Sequence, residues 1–451
     1  MLKPVQHDGD CLPVPIAIGI KGRTRIIERD MNLKERDKKH IWHPLTQHKL
    51  HPESLPILKA KGALLWDENG KEYVDAISSW YTAVYGHCND YITSKAYEQM
   101  QQLDQVVFSG FTHEPAIKLS EELMKILPDN QQKVMFNDNG STSTEIGIKM
   151  ALQYHHNQGN SRKTLLAFEN GFHGDTLGAM SVSGLSVYNG PFEEFFIDVK
   201  RIPLPDGENI NDILKAIESF HAETPLAGFI YEPLVQGAAG MLMYEPDGLE
   251  QILKLCHSLD IITIADEVMT GFGKTGKYFA SDYLAEKPDV MCLSKALTAG
   301  LVPMGITTCT QRVYDAFYAD DIGKGLFHAH TYSANPIACA TALAALDLLN
   351  SDEIQEKIKT IMGWHEGFNA SIKDHPKVKN TRQRGIIYAL DLNIKMERYG
   401  DLRYELFNFC MENGVYLRPL GATLYILAPY VITKEEMEKV YDVIRKILDK
   451  F

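Results

Sequence analysis

Between about residues 134 and 310 the chain alternates short, nearly unbroken apolar runs with longer stretches of helical spacing. The runs are KVMF (133–136), TLLAF (164–168), AGFIY (227–231), IITIA (261–265), VMCL (290–293) and GITTC (305–309). A strand with one wet face alternates apolar and polar residues. Runs without that alternation predict strands covered on both faces. Residues 141–156 and 248–258, which lie between them, predict helices. The repeated strand-then-helix order predicts an α/β domain on a mostly parallel sheet. Residues 335–350, NPIACATALAALDLLN, read as a buried helix leading into another unit. Beyond about residue 375 the pattern changes, and GIIYALDL and VYLRPL…LYILAPY read as strands of an α+β arrangement. A capping box, Thr433 with Glu436, predicts the last helix, whose apolar stripe runs through Val440, Ile444 and Leu448.

Length and composition narrow the class. A chain of 451 residues suits two or three structural domains, and 45% hydrophobic with 23% charged residues is ordinary for a globular protein. The 46 basic and 59 acidic residues give a net charge of −13, which argues against nucleic acid as the main partner. The seven cysteines, Cys11, Cys88, Cys256, Cys292, Cys309, Cys339 and Cys410, are scattered without a Cys-x-x-Cys pair. That usage predicts reduced thiols in the cytoplasm. No apolar run approaches the roughly 18–20 residues of a membrane span. The short apolar stretch CLPVPIAIGIKGR is interrupted by two prolines and preceded by Asp8 and Asp10. It reads as an extension, not a signal peptide, with translation expected to start at Met31.

Three places carry candidate chemistry, each with a plainer reading. In KVMFNDNGSTSTE, a strand turns at Gly140 into a helix opened by Ser141 and Thr142. Its first N–H groups suit a phosphate, or serve an ordinary helix cap. In IITIADEVMTGFGKTG, Asp266 and Glu267 directly follow a buried strand. An acid there caps a helix, pairs with a lysine, or holds a proton on a heterocyclic nitrogen. Lys295 ends the next run, in PDVMCLSKALTAG. A strand-end lysine usually snorkels to water. At its ordinary pKa of about 10.4, roughly one amine in a few thousand is neutral at pH 7, whereas burial makes it a usable nucleophile. A phosphate cradle, a strand-end acid and a strand-end lysine together are what pyridoxal 5'-phosphate requires, with the acid keeping the ring an electron sink.

From about Ile41 to the C-terminus the chain resembles the class III pyridoxal-phosphate aminotransferases. The resemblance is carried by HIWHPLTQ, DAISSWYTAVYGH, DNGSTSTEIGIKMALQY, GFHGDTLGAMSV, EPLVQGAAGM, IADEVMTGFGKTG, PDVMCLSKALTAG and HTYSANPIACA. It implies a fold-type I transferase. The expected layout is an extension over 1–30, a segment over 31–85 packing with the small domain, a large cofactor domain over 86–340 and a small α+β domain over 341–451. It implies that Gly140 and Ser141 bind the cofactor phosphate and that Thr331 reaches the phosphate of a neighbouring subunit, making a homodimer necessary. Phe172 stacks on the pyridine ring with Val268 on its other face, Asp266 binds the ring nitrogen, and Lys295 is Schiff base and proton shuttle. Trp80, Tyr81 and Phe172 line the substrate pocket, and Arg418 receives a carboxylate, a task that fits its planar fork.

The IWHP and SSW blocks resemble the members of biotin synthesis, which implies amination of 8-amino-7-oxononanoate to 7,8-diaminononanoate. S-adenosylmethionine is the expected donor and lysine the alternative. A class III enzyme acting on an ω-amino acid or diamine, and a non-catalytic cofactor-binding protein, are the competing readings. Residue by residue, Trp80 and Phe172 also read as core aromatics, Arg418 as half of an ion pair, His173 as a core histidine, and Glu232 as structural. Asp175 reads as support for the cofactor shell. His155, His156, His328 and His330 form no convincing ligand set, so no metal is expected. Departures from the family pattern are Leu45 and Phe172 in place of Tyr, Lys274 in place of Arg, Tyr81 in place of Trp and His330 in place of Pro. They gather near the expected substrate pocket, so they bear on the choice of amine donor.

Overall fold

The computed structural model describes residues 32–51, 53–186, 188–396 and 400–451. The expectations for residues 1–30 and for a start at Met31 lie outside the described residues. The chain divides into two compact units, Met1–Pro56 and Ile57–Phe451. In the first, helix Leu33–His40 opens on an Asn32–Glu35 capping box, and Asp37 Oδ2 lies 2.8 Å from His43 Nε2.

The second unit opens with three short strands, β1 (Ile57–Lys61), β2 (Leu64–Asp67) and β3 (Glu72–Asp75). There follow β4 (Gln131–Asn137), β5 (Thr164–Phe168), β6 (Val199–Ile202), β7 (Leu226–Tyr231), the small hairpin β8 (Val235–Gln236) and β9 (Leu242–Met243), β10 (Ile262–Asp266), β11 (Val290–Leu293) and β12 (Gly305–Thr310). The last strands are β13 (Val378–Arg384), β14 (Ile387–Leu392), β15 (Val415–Tyr416) and β16 (Thr423–Ile426). Seven of them form the central sheet, in the order β4-β12-β11-β10-β7-β5-β6. Only β12 runs against its neighbours, pairing antiparallel with both β11 and β4; β10, β11, β7, β5 and β6 pair in parallel. Every residue of β5, β7, β10, β11 and β12 is buried, as the absence of alternation requires. The fold is α/β with a mostly parallel sheet.

Helices cover the sheet because their apolar faces have nowhere else to go. The 18-residue helix Gly140–Asn157 buries Ile146, Ile148 and Ala151 among residues of β5, β7, β10 and β11. Helix Pro336–Leu349 buries residues all round its surface, while the final helix Lys434–Lys450 starts on the Thr433–Glu436 box and buries Val440, Ile444 and Leu448 on one stripe. A three-stranded antiparallel sheet, β13-β14-β16, and a four-stranded sheet, β1-β2-β3-β15, complete the unit. In the latter β15 pairs in parallel with β3, bringing the segment that carries Arg418 beside the segment that carries Trp80.

The apolar pattern did not predict β6, whose sequence is VKRI. It is the edge strand of the central sheet, and its cations have local partners. Arg201 donates to the carbonyls of Ser181 and Ser183 at 2.7 and 2.9 Å, and Lys200 lies 5.5 Å from the centre of the Phe220 ring.

Candidate active site

Strands β10 and β11 lie side by side in parallel, with Asp266 opposite Cys292. Their carboxyl ends deliver Asp266 and, just past Ser294, Lys295 to one edge of the sheet, where ligands of open α/β folds gather. Lys295 adopts a left-handed backbone, φ 52°. Ser294 fixes the turn by donating its hydroxyl to the Met304 carbonyl at 2.6 Å. Burial lowers the pKa of the Lys295 amine, opposed by the negative charges of Asp266 and Glu232. Its Nζ lies 5.0 Å from the centre of the Tyr81 ring.

Asp266 is held on both oxygens. Oδ2 lies 2.7 Å from His173 Nδ1, and Oδ1 accepts the Val268 N–H at 3.1 Å. The His173 reading as a core histidine is half the story: it is buried, but it orients the strand-end acid. Its Nε2 is buried without a partner among the described residues. The sequence signal was its place in GFHGD, directly after Phe172. Glu267 turns away to accept from the Ser281 N–H at 2.7 Å, the Ser281 hydroxyl at 2.8 Å and the Ala280 N–H at 3.2 Å. Burial nonetheless pushes its pKa up to about 7. Of the two adjacent acids, Asp266 faces the lysine and Glu267 braces a loop.

A helix start lies beside these residues. Asn139 caps it by accepting the Thr142 N–H at 3.0 Å, which leaves the N–H groups of Gly140 and Ser141 without helical partners. Ser143 Oγ donates to the Leu293 carbonyl at 3.2 Å, tying this helix start to the strand that ends at Lys295. Gly140 is required by packing, since a Cβ there would stand 2.7 Å from Val268 Cγ1. Gly174, at φ +127°, is required too; its Cβ would stand 2.2 Å from Ser141 Oγ. The Asp175 N–H donates to that same hydroxyl at 3.3 Å. Phe172 exposes its ring while its N–H donates to Glu232 Oε1 at 2.9 Å. Glu232 Oε2 accepts the Gly237 N–H at 2.8 Å, and burial pushes this carboxyl up to about 7. These residues fit pyridoxal phosphate: unpaired N–H groups for its phosphate, an acid for its ring nitrogen, a half-buried amine for its aldehyde, and an exposed ring to stack on it.

A second group stands on the turn after β3. Trp80 is 42% exposed, and the Arg418 guanidinium carbon lies 4.8 Å from the centre of its ring. Arg418 has no carboxylate within ion-pair distance among the described residues, unlike Arg382, which pairs with Asp391 at 2.6 Å. Tyr81 is buried, its ring 5.9 Å from that of Tyr425. Lys274 is fully buried, and its Nζ has no partner among the described residues. Burial drives its pKa far down, the Lys295 charge lowers it further, and Glu267 opposes. Leu45 belongs to the first unit. Thr331 is exposed, its carbonyl accepting from Gln105 Nε2 at 2.8 Å. The preceding His330 lies 2.9 Å from Asp138 and 2.8 Å from His328. Among the described residues no three His, Cys, Asp or Glu side chains are grouped to hold a metal.

Comparison with known proteins agrees with this chemistry. The family model described as aminotransferase class-III matches residues 46–448. Among curated proteins, adenosylmethionine-8-amino-7-oxononanoate aminotransferase from Synechococcus elongatus is 40% identical over 420 residues, spanning 91% of this chain and 99% of its own. A crystal structure of the protein of that name from Methanocaldococcus jannaschii superposes with a TM-score of 0.86 at 32% identity, covering 92% of this chain and 98% of its own. The omega transaminase of Pseudomonas jessenii, in complex with PMP, superposes at 0.85 with 26% identity, over 93% of this chain and 98% of its own.

Proposed function

The chain belongs to the class-III aminotransferases, pyridoxal-phosphate enzymes, and from that premise we propose that it transfers an amino group to 8-amino-7-oxononanoate, giving 7,8-diaminononanoate for biotin synthesis. The observation that carries the reaction type is the convergence of Lys295 and the His173-pinned Asp266 at adjacent strand ends. The substrate follows from the names of the relatives that match over nearly their whole length.

Pyridoxal phosphate, when bound, supplies an electron sink that makes the carbon beside an amine acidic. The residues divide the rest of the work. Gly140 and Ser141 hold the phosphate at the helix start, and Phe172 and Val268 flank the ring. Asp266 keeps a proton on the ring nitrogen, with His173 holding the carboxylate in place. Lys295, its amine made easier to deprotonate by burial, takes the proton from the amine-bearing carbon and later returns one as acid. Arg418, lying on Trp80 without an acidic partner among the described residues, receives a substrate carboxylate. Donor and acceptor occupy the site in turn, and one arginine serves both. S-adenosylmethionine is the proposed donor.

Activity requires a homodimer in this reading, with Thr331 contributed to the phosphate of the neighbouring subunit. Its exposure, between exposed Phe327 and Tyr332, supports that assignment. The described cysteines are free thiols, in keeping with a cytoplasmic enzyme. The test is to give the holoenzyme 8-amino-7-oxononanoate with S-adenosylmethionine or with lysine and to follow products by mass spectrometry. The diamine forms with S-adenosylmethionine; formation with lysine alone would reassign the donor, and no diamine with either would refute the substrate.

A further inference from the structure

Ser78, Ser79, Trp80 and Tyr81 are four consecutive non-glycine residues at positive φ, +49°, +44°, +71° and +72°. Single residues visit this left-handed region at a cost, and a run persists only where the surroundings over-determine it. Here the surroundings converge on one side chain. Asp75, at the end of β3, is fully buried. Its Oδ1 accepts the Ile77 N–H at 3.1 Å, while Oδ2 accepts the Ser79 N–H at 2.7 Å and the Ser79 hydroxyl at 3.1 Å. His87 Nε2 lies 2.7 Å from the same Oδ2. Ser78 adds a second tether, donating to the Leu427 carbonyl at 2.7 Å.

The strained turn has a product. It sends two successive rings to two different cations: Tyr81 stands below Lys295 Nζ at 5.0 Å, and Trp80 below the Arg418 guanidinium at 4.8 Å. We propose that Asp75 is a positioning residue that, by holding Ser78–Tyr81 left-handed, sets the span between the amine end of the site at Lys295 and the carboxylate end at Arg418. The clamp thus fixes the ring against which Arg418 is held when it receives a substrate carboxylate. Nothing in this role touches the reacting atoms. The inference rests on the proposed function, because it takes Arg418 as the carboxylate receptor.

The test uses holoenzyme of the wild type, Asp75→Asn, and Asp75→Asn combined with Ser79→Gly. An amide at 75 presents donors where Ser79 N–H and His87 now meet a carboxylate, whereas glycine at 79 adopts positive φ without cost and lessens the need for the clamp. Each is assayed in half-reactions with a carboxylate-bearing donor and with a simple primary amine lacking a carboxylate. Asp75→Asn should lower kcat/KM about 30-fold for the carboxylate-bearing donor, mostly through KM. The simple amine and the visible absorbance of cofactor linked to Lys295 should stay within about twofold of wild type. Adding Ser79→Gly should restore part of the loss. Equal loss for both donors, no loss for either, or no rescue would overturn the role of Asp75. If Asp75→Asn does not fold, His87→Gln, which removes one anchor of the same carboxylate, must show the same split at smaller size, and its absence overturns the role equally. A wild type indifferent to the substrate carboxylate would instead refute Arg418 as the receptor.

Discussion

Lys295 and Asp266 stand at the ends of paired, fully buried strands, whereas Trp80 and Tyr81 stand on four left-handed residues clamped by one carboxylate. The first arrangement needs little that is local: parallel pairing of β10 with β11 puts the two strand ends together. The second depends on contacts far apart in sequence, from Ser78 to Leu427 and from Trp80 to Arg418. In the proposed reading, reaction type resides at the paired strand ends and substrate choice at the strained turn.

Substitutions break this comparison at one end or the other. The largest effect is expected from Lys295→Ala, which removes the proposed proton carrier. Transamination should fall by at least about 10³-fold with every donor and acceptor, measured in single-turnover assays. Arg418→Ala comes next. It should cost roughly 10²-fold in kcat/KM for carboxylate-bearing substrates, comparable to losing a charge-assisted contact, and leave simple amines within a few-fold. A common loss at both would merge the two ends into one.

Stability tests reach the scaffold beneath them. Glu232 holds its proton up to about pH 7 in the folded protein, against an ordinary value of 4.5. Between those values the folded state binds more protons than the unfolded. This contribution is therefore fully present below about pH 4.5 and lost as pH rises through 7, by roughly 3 kcal/mol at most. Glu232→Gln should flatten that part of the profile in urea unfolding at pH 5 and pH 8. The smallest effect is expected from Lys274→Met. Replacing a buried amine that has no partner among the described residues with an apolar chain of similar length should raise stability by about 2 kcal/mol in the same assay. A drop would mean that the Lys274 amine has an interaction worth more than its desolvation.

The contrast between the two ends also explains what was legible in the sequence. The runs 164–168 and 290–293 coincide with β5 and β11, and Thr433–Glu436 caps the final helix, because burial on both faces and a local cap leave direct marks in sequence. Lys295 and Asp266 were readable for the same reason, standing where apolar runs stop. His173 was not readable as the partner of Asp266, because a contact across 93 positions has no local periodicity. The left-handed run was hidden too, since SSWY contains no glycine to announce positive φ. β1 to β3 are short and only partly buried, and β6 carries two cations, so neither gives an apolar run. Lys274, read from the sequence among residues that bear on the amine donor, is fully buried, and the Lys295 charge adds to burial in lowering its pKa.

Burial lowers the pKa of two lysines, fully buried Lys274 and half-buried Lys295, and one measurement separates them. Holoenzyme reduced with borohydride, digested and mapped by mass spectrometry should carry its pyridoxyl group on the peptide containing Lys295, in one equivalent per chain. A pyridoxyl group on Lys274, or on any lysine other than Lys295, would contradict the account.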